Sequence, residues 1–121
     1  MRYILLIYHD EKLWEGHTES ERQRIYGEYR QLRDELTESG KFLTGDQLEP
    51  ATTAKTVRVR GAQPLITDGP FAETREQLGG FFLIEAADLA EANAIAARIP
   101  SAREGSIEVR PVVERSQPAS A

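Results

Sequence analysis

Acid–base and metal chemistry draw on histidine, cysteine and clustered carboxylates, and this sequence is sparing with them. Histidine occurs twice, at His9 and His17, and cysteine is absent. Without cysteine there are no disulfides, thiolate nucleophiles, cysteine-ligated zinc or iron–sulfur clusters. Two histidines leave no three-histidine metal site in one chain, so no metal and no cofactor is expected. His9 ends an apolar run with Asp10 beside it, where a side chain can project into a pocket mouth. The ordinary alternative is a surface histidine opening a loop. His17 precedes a helix cap and reads as exposed. Asp68 heads Asp68-Gly69-Pro70 and has two readings. As a turn residue its carboxylate accepts backbone amides, so Asp68→Asn would be tolerated and Asp68→Ala would cost roughly 0.5–2 kcal/mol. As a site residue it lines a pocket and acts as a base or orients a ligand hydroxyl. Gly79-Gly80 is read as a bulge entering a strand, with room for a ligand as the alternative. Arg58 and Arg60 could grip an anion, but paired arginines on an exposed strand more often discourage edge pairing. No phosphate loop, nucleophile elbow or dinucleotide fingerprint is present.

The elements that position these residues can be read from periodicity. Arg2 to Tyr8 is β-branched and aromatic without alternation, so it predicts a strand covered on both faces. Residues 10–17 read as a loop. Thr18-Glu19-Ser20-Glu21 fits a capping box, and Ile25, Tyr29, Leu32 and Leu36 follow at helical spacing up to Gly40. The charges between them read as a solvated outer face. A second strand falls within 41–48. Thr56-Val57-Arg58-Val59-Arg60 alternates, which predicts buried valines and outward arginines, with a turn over Gly61 to Pro64 and a return at Leu65-Ile66-Thr67. Gly79 to Glu85 is a second non-alternating run. Asp88 caps a helix through Ala92, Ile95, Ala96 and Ile99, whose alanines let it approach a sheet closely. Ile107 to Arg110 alternates before Pro111, which suggests an edge strand.

The order is α+β: a ferredoxin-like βαββαβ unit with an inserted β-hairpin. Its two non-alternating strands belong at the centre. Helices cover only one sheet face, so a second copy is expected on the other, giving a homodimer joined through sheet faces. The 121 residues make one domain, read as 1–113 with a disordered tail over 114–121. Fifteen basic against twenty acidic residues give a net charge of −5, which disfavours nucleic-acid binding. The longest apolar run, Ile4 to Tyr8, is far short of the about 20 residues that span a bilayer. Neither signal peptide nor membrane anchor is expected, and the location is read as cytoplasmic.

One stretch is more specific than periodicity. The block from Asp68-Gly69-Pro70-Phe71 through Gly79-Gly80-Phe81, with Arg2 to Tyr8 and Gly105 to Val112, resembles the DGPF branch of the YCII-related family. The resemblance covers about residues 1–113. It implies a dimeric α/β barrel of ferredoxin-like protomers, often of unassigned function and in some cases associated with extracytoplasmic-function sigma factors. The broader family includes an enzyme that removes chloride from a chlorinated hydroxyquinone, and its fold is similar to that of muconolactone isomerases. It also implies a His–Asp pair with the histidine on the first helix, where the matching position here is Tyr29. A phenol with an ordinary pKa near ~10 is a poor base, and Tyr29 also fits a core tyrosine with its OH at the rim. Two functions follow. One is a small-molecule-binding or accessory protein. The other is a lyase or isomerase acting on a small oxygenated ring compound, with Asp68 as base and His9 or Tyr29 assisting.

Overall fold

The structure, a computed structural model, describes residues 1–115. Its elements run β1 (Arg2–His9), α1 (Glu11–Glu15), α2 (Glu19–Glu38), β2 (Phe42–Gln47), β3 (Lys55–Arg60), β4 (Gln63–Asp68), β5 (Gln77–Glu85), α3 (Leu89–Arg98) and β6 (Ser106–Pro111). Four strands form one antiparallel sheet in the order β2-β5-β1-β6, and β3-β4 form a separate hairpin. Set the hairpin and short α1 aside, and this is the ferredoxin-like α+β fold. The two non-alternating strands, β1 and β5, are its centre. β6, with Pro111, lies at one edge, where proline removes no interior ladder bond.

The core lies between the sheet and the two longer helices. Tyr3, Leu5 and Ile7 point from β1 into it, beside Phe82 and Ile84 of β5. Leu5 and Ile84 are wholly buried, each worth about 1.5–3 kcal/mol of transfer free energy. α3 contributes Ala92, Ile95 and Ala96, and its small side chains let the helix backbone sit close to the sheet. α2 begins with the capping box, Thr18 accepting from the Glu21 amide while Glu21 accepts from that of Thr18. Leu32 and Leu36 are buried, but Ile25 and Tyr29 are only half-buried. The amino-terminal half of α2 stands over a cavity instead of solid core.

Several expectations need correcting. Residues 10–17 are not all loop. Asp10 caps α1 by accepting from the Lys12 amide, and five residues are too few to show a helical period. The hairpin turns at Gly61-Ala62, and Pro64 lies within β4 opposite Val59. Neither hairpin face is buried: Val57 is 60% and Ile66 66% exposed, no less open than a surface strand. Alternation identified the apolar side without supplying anything to cover it. Glu114, assigned to the tail, accepts from the Arg2 amide at 3.2 Å. The rest of that tail, 116–121, lies outside the described residues.

His17 also differs from expectation. Its side chain is only 13% exposed, with Nδ1 3.2 Å from Glu21 and Nε2 2.9 Å from Glu104. Arg22 donates to the His17 carbonyl at 2.6 Å, and the Trp14 ring packs edge-on against the imidazole. This clasp ties the α1–α2 junction to the segment that follows the 3-10 turn Pro100–Arg103. The hydrogen bond to Glu104 raises the His17 pKa above its ordinary value, with the Glu104 and Glu21 charges acting the same way and desolvation opposing them.

Two measurements follow. A raised histidine pKa means that the folded state holds the proton more tightly. The clasp's contribution is therefore full below about pH 6.5 and is lost as pH rises through the raised value. A thermal melt series should show the midpoint falling over that window, and His17→Gln should flatten the fall. The second concerns two glycines of opposite sign. Gly27 lies inside α2, where a Cβ would meet nothing nearer than Arg30 Nη2 at 3.7 Å. A Cβ on Gly105 would overlap the Tyr8 carbonyl oxygen and approach His9 Cα to 3.2 Å, both unyielding backbone. In urea denaturation, Gly27→Ala should stabilise by about 0.5–1 kcal/mol and Gly105→Ala should destabilise by about 1–3 kcal/mol.

Candidate functional site

The inward series Tyr3, Leu5, Ile7 continues to His9, the last residue of β1. Two glycines make room for it. Opposite Ile7 and Tyr8 the ladder skips from Gly80 to Leu78, so Gly79 is the extra residue of a β-bulge, as its sequence suggested. A Cβ there would sit 2.5 Å from His9 Nε2, which ties the bulge to the imidazole. The absent side chain of Gly105 lets the Tyr8–His9 backbone lie against the following loop.

Beyond Ile7, between the sheet and α2, is a cavity of about 200 Å³. Ile7, Phe82, Gly79 and Gly80 line its sheet side, and Tyr26, Tyr29, Arg30 and Arg33 its α2 side. His9, Trp14, Gln47 and Ser101 complete most of the wall. A shallower groove of about 540 Å³ adjoins it and shares His9, Trp14, Tyr26 and Gln47. Trp14 is held edge-to-face on Tyr26, with ring centroids 5.5 Å apart, and stands 6.2 Å from His9. α1, which carries Trp14, is pinned at its start: the Glu11 amide donates to Gln77 at 3.0 Å, and the Glu11 carboxylate accepts from the Ala51 amide at 2.8 Å.

Of the three residues singled out in the sequence, His9 and Tyr29 meet in this cavity and Asp68 does not. Tyr29 shares a 2.6 Å hydrogen bond with Ser101, and its ring packs against Phe82. Burial pushes its phenol above the ordinary value, with the Ser101 bond pulling the other way, so it stays protonated at neutral pH. It is a rim tyrosine that can hold a hydrogen bond and cannot act as a base. The His9 ring makes no hydrogen bond among the described residues and lines the cavity, with Nε2 lying against Gly79.

Asp68 ends β4, its side chain 88% exposed and paired with Lys55 across the hairpin. Among the described residues it accepts no backbone amide, so the turn-capping role is corrected as well. The conformation there is held by main chain and by Thr56: the Gly69 amide donates to Ala54 and the Thr56 hydroxyl to the Gly69 carbonyl, both at 2.8 Å. The hairpin carries Asp68 away from the sheet, and an exposed pair of this kind is worth little.

Sequence reasoning missed Trp14, Tyr26, Arg30, Arg33 and Gln47. The spacing of Tyr26, Tyr29, Arg30 and Arg33 does mark one helical face, but interleaved charges looked like ordinary solvated surface. Gln47 donates to the Tyr26 hydroxyl at 3.3 Å, a contact between distant elements with no local signal. Among the described residues, no three histidine, aspartate or glutamate side chains gather as a metal site would require. No helix there is long and apolar enough to cross a membrane.

A family model described as the YCII-related domain matches residues 1–116. The chain is also 38% identical over 114 residues to Uncharacterized protein R00369 of Rhizobium meliloti (strain 1021), which covers 93% of this chain and 92% of that protein. The fold, the central strands and these matches agree: the chain belongs to the YCII-related family.

Proposed function

We propose that this protein is a homodimeric small-molecule-binding protein of the DGPF branch, acting in the cytoplasm, with its ligand in the cavity at the end of β1. The observation that carries the reading is an apolar-floored, aromatic-walled space lined by a His9 imidazole that makes no hydrogen bond among the described residues. Preformed pockets with few polar groups are the usual form of a ligand site. Dimerisation is supported by the sheet face turned away from the helices. Ile4, Leu6 and Tyr8 of β1 and Phe81 and Leu83 of β5 share that face, all only half-buried within one chain. A contiguous apolar stripe of this kind favours association.

A second reading is favoured by the same imidazole: acid–base catalysis by a lyase or isomerase on a small oxygenated ring compound. Here His9 takes the proton and the neutral Tyr29 phenol holds an oxygen of the ligand. The part given to Asp68 in the sequence passes to His9, because the Asp68 carboxylate stands outside the cavity.

Sedimentation at micromolar concentration should give about twice 13.6 kDa, and Leu6→Arg should reduce it to the single-chain mass. A wild-type monomer would remove the dimer from the proposal. Trp14 is the one tryptophan of the sequence, so its emission reports on the cavity. Single-ring compounds should produce a saturable change, weakened in Gly79→Ala because the new methyl displaces His9. If any compound is converted, His9→Gln should keep binding and stop turnover, while Asp68→Asn should alter neither. Loss of turnover in Asp68→Asn alone would return the catalytic role to Asp68.

A further inference from the structure

Two arginines line the cavity, and both are among those with no ion-pair partner in the described residues. Arg22, Arg98 and Arg103 each meet a carboxylate: Glu19, Glu35 and Glu28. Arg30 and Arg33, one turn apart on α2, meet none among the described residues. Arg33 lies over the Phe42 ring, 5.0 Å from its centroid, which positions the guanidinium without neutralising it. The carboxylate nearest in the lining belongs to Asp46, and strand alternation turns it away. Gly45 packs on Phe82 and Gln47 reaches Tyr26, so the residue between them projects to the opposite sheet face and lines the cavity with main chain. A chain of net charge −5 thus directs two free cations and no carboxylate side chain toward its cavity.

We infer that the ligand is a single-ring organic carboxylate with a ring hydroxyl, its charge met by Arg30 and Arg33 and its hydroxyl by His9. This rests on the proposed ligand site and narrows what fills it. The about 200 Å³ space lies below the ~300–1,000 Å³ typical for drug-sized molecules, so it suits one ring. Trp14 and Tyr26 place aromatic rings in the wall beside a planar body, and guanidinium groups match a carboxylate in geometry and charge.

The test is calorimetric titration at pH 7.5 with 2-hydroxybenzoate and its neutral counterpart 2-hydroxybenzamide, which differ only in the group offered to the arginines. The acid should bind at least about tenfold more tightly, equivalent to ~1.4 kcal/mol, and lose affinity as salt is added. Arg30→Gln/Arg33→Gln should weaken the acid far more than the amide and bring the two ligands to near-equal affinity. Both arginines are exposed and donate no hydrogen bond among the described residues, so the variant's melting curve should match wild type and exclude misfolding. Equal binding of acid and amide in wild type, or a preference that survives in the double variant, overturns the inference while leaving the ligand site standing. If neither compound binds up to its solubility limit and Trp14 emission is unmoved by any single-ring compound, the inference and the site fall together.

Discussion

Strand β1 is paired along both edges and packed on its inner face, so its end is closely crowded by its neighbours. A side chain can leave that end toward the cavity only where neighbours give up theirs. Gly79 yields the volume that the His9 ring occupies, and Gly105 lets the Tyr8–His9 backbone close against the loop before β6. The bulge at Gly79 has a second consequence. It shifts the β5 register by one residue, so Leu78 pairs with Tyr8 and Gln77 with His9, while Gly80 and Phe82 face inward beside Ile7 and form the floor. One crowded junction therefore fixes the ring, the floor and the mouth of the site.

Much of the fold was legible because local patterns and tertiary demands coincide. β1 and β5 lack alternation since they are central, and the Thr18–Glu21 box caps α2 whatever packs on it. What was not legible depends on residues meeting across the chain. His17 looked like a surface histidine because Glu104, 87 positions away, supplies half of its clasp. Arg30 and Arg33 looked like Arg22, but Arg22 has Glu19 and they face a cavity. The valines of β3 show the limit from the other side: a period-two pattern says which residues share a face and is silent on what covers it.

The cavity exists because α2 packs unevenly. Leu32 and Leu36 bring its second half onto the sheet, while its first half is held off by Tyr26, Tyr29 and the α1 segment. Trp14 then serves as a wall, braced by Tyr26 on one side and His17 on the other. The clasp on His17 is thus part of the cavity's construction.

The two faces of β1 have separate tasks. Ile7 and His9 look into the cavity, whereas Leu6 and Tyr8 look out from the sheet, where no other part of the described chain covers them. The hairpin adds a second uncovered surface, since the register pairs Val57 with Ile66 and Val59 with Pro64 on one side. Apolar area left open on a small acidic chain favours association over isolation. The proposed association would draw on residues of opposite orientation from those lining the cavity, and alternation keeps the two sets apart along every strand they share. Side chains on the outer face can thus change without entering the cavity, while Gly79 and Gly105 cannot, because they set the strand end from which the His9 side chain departs.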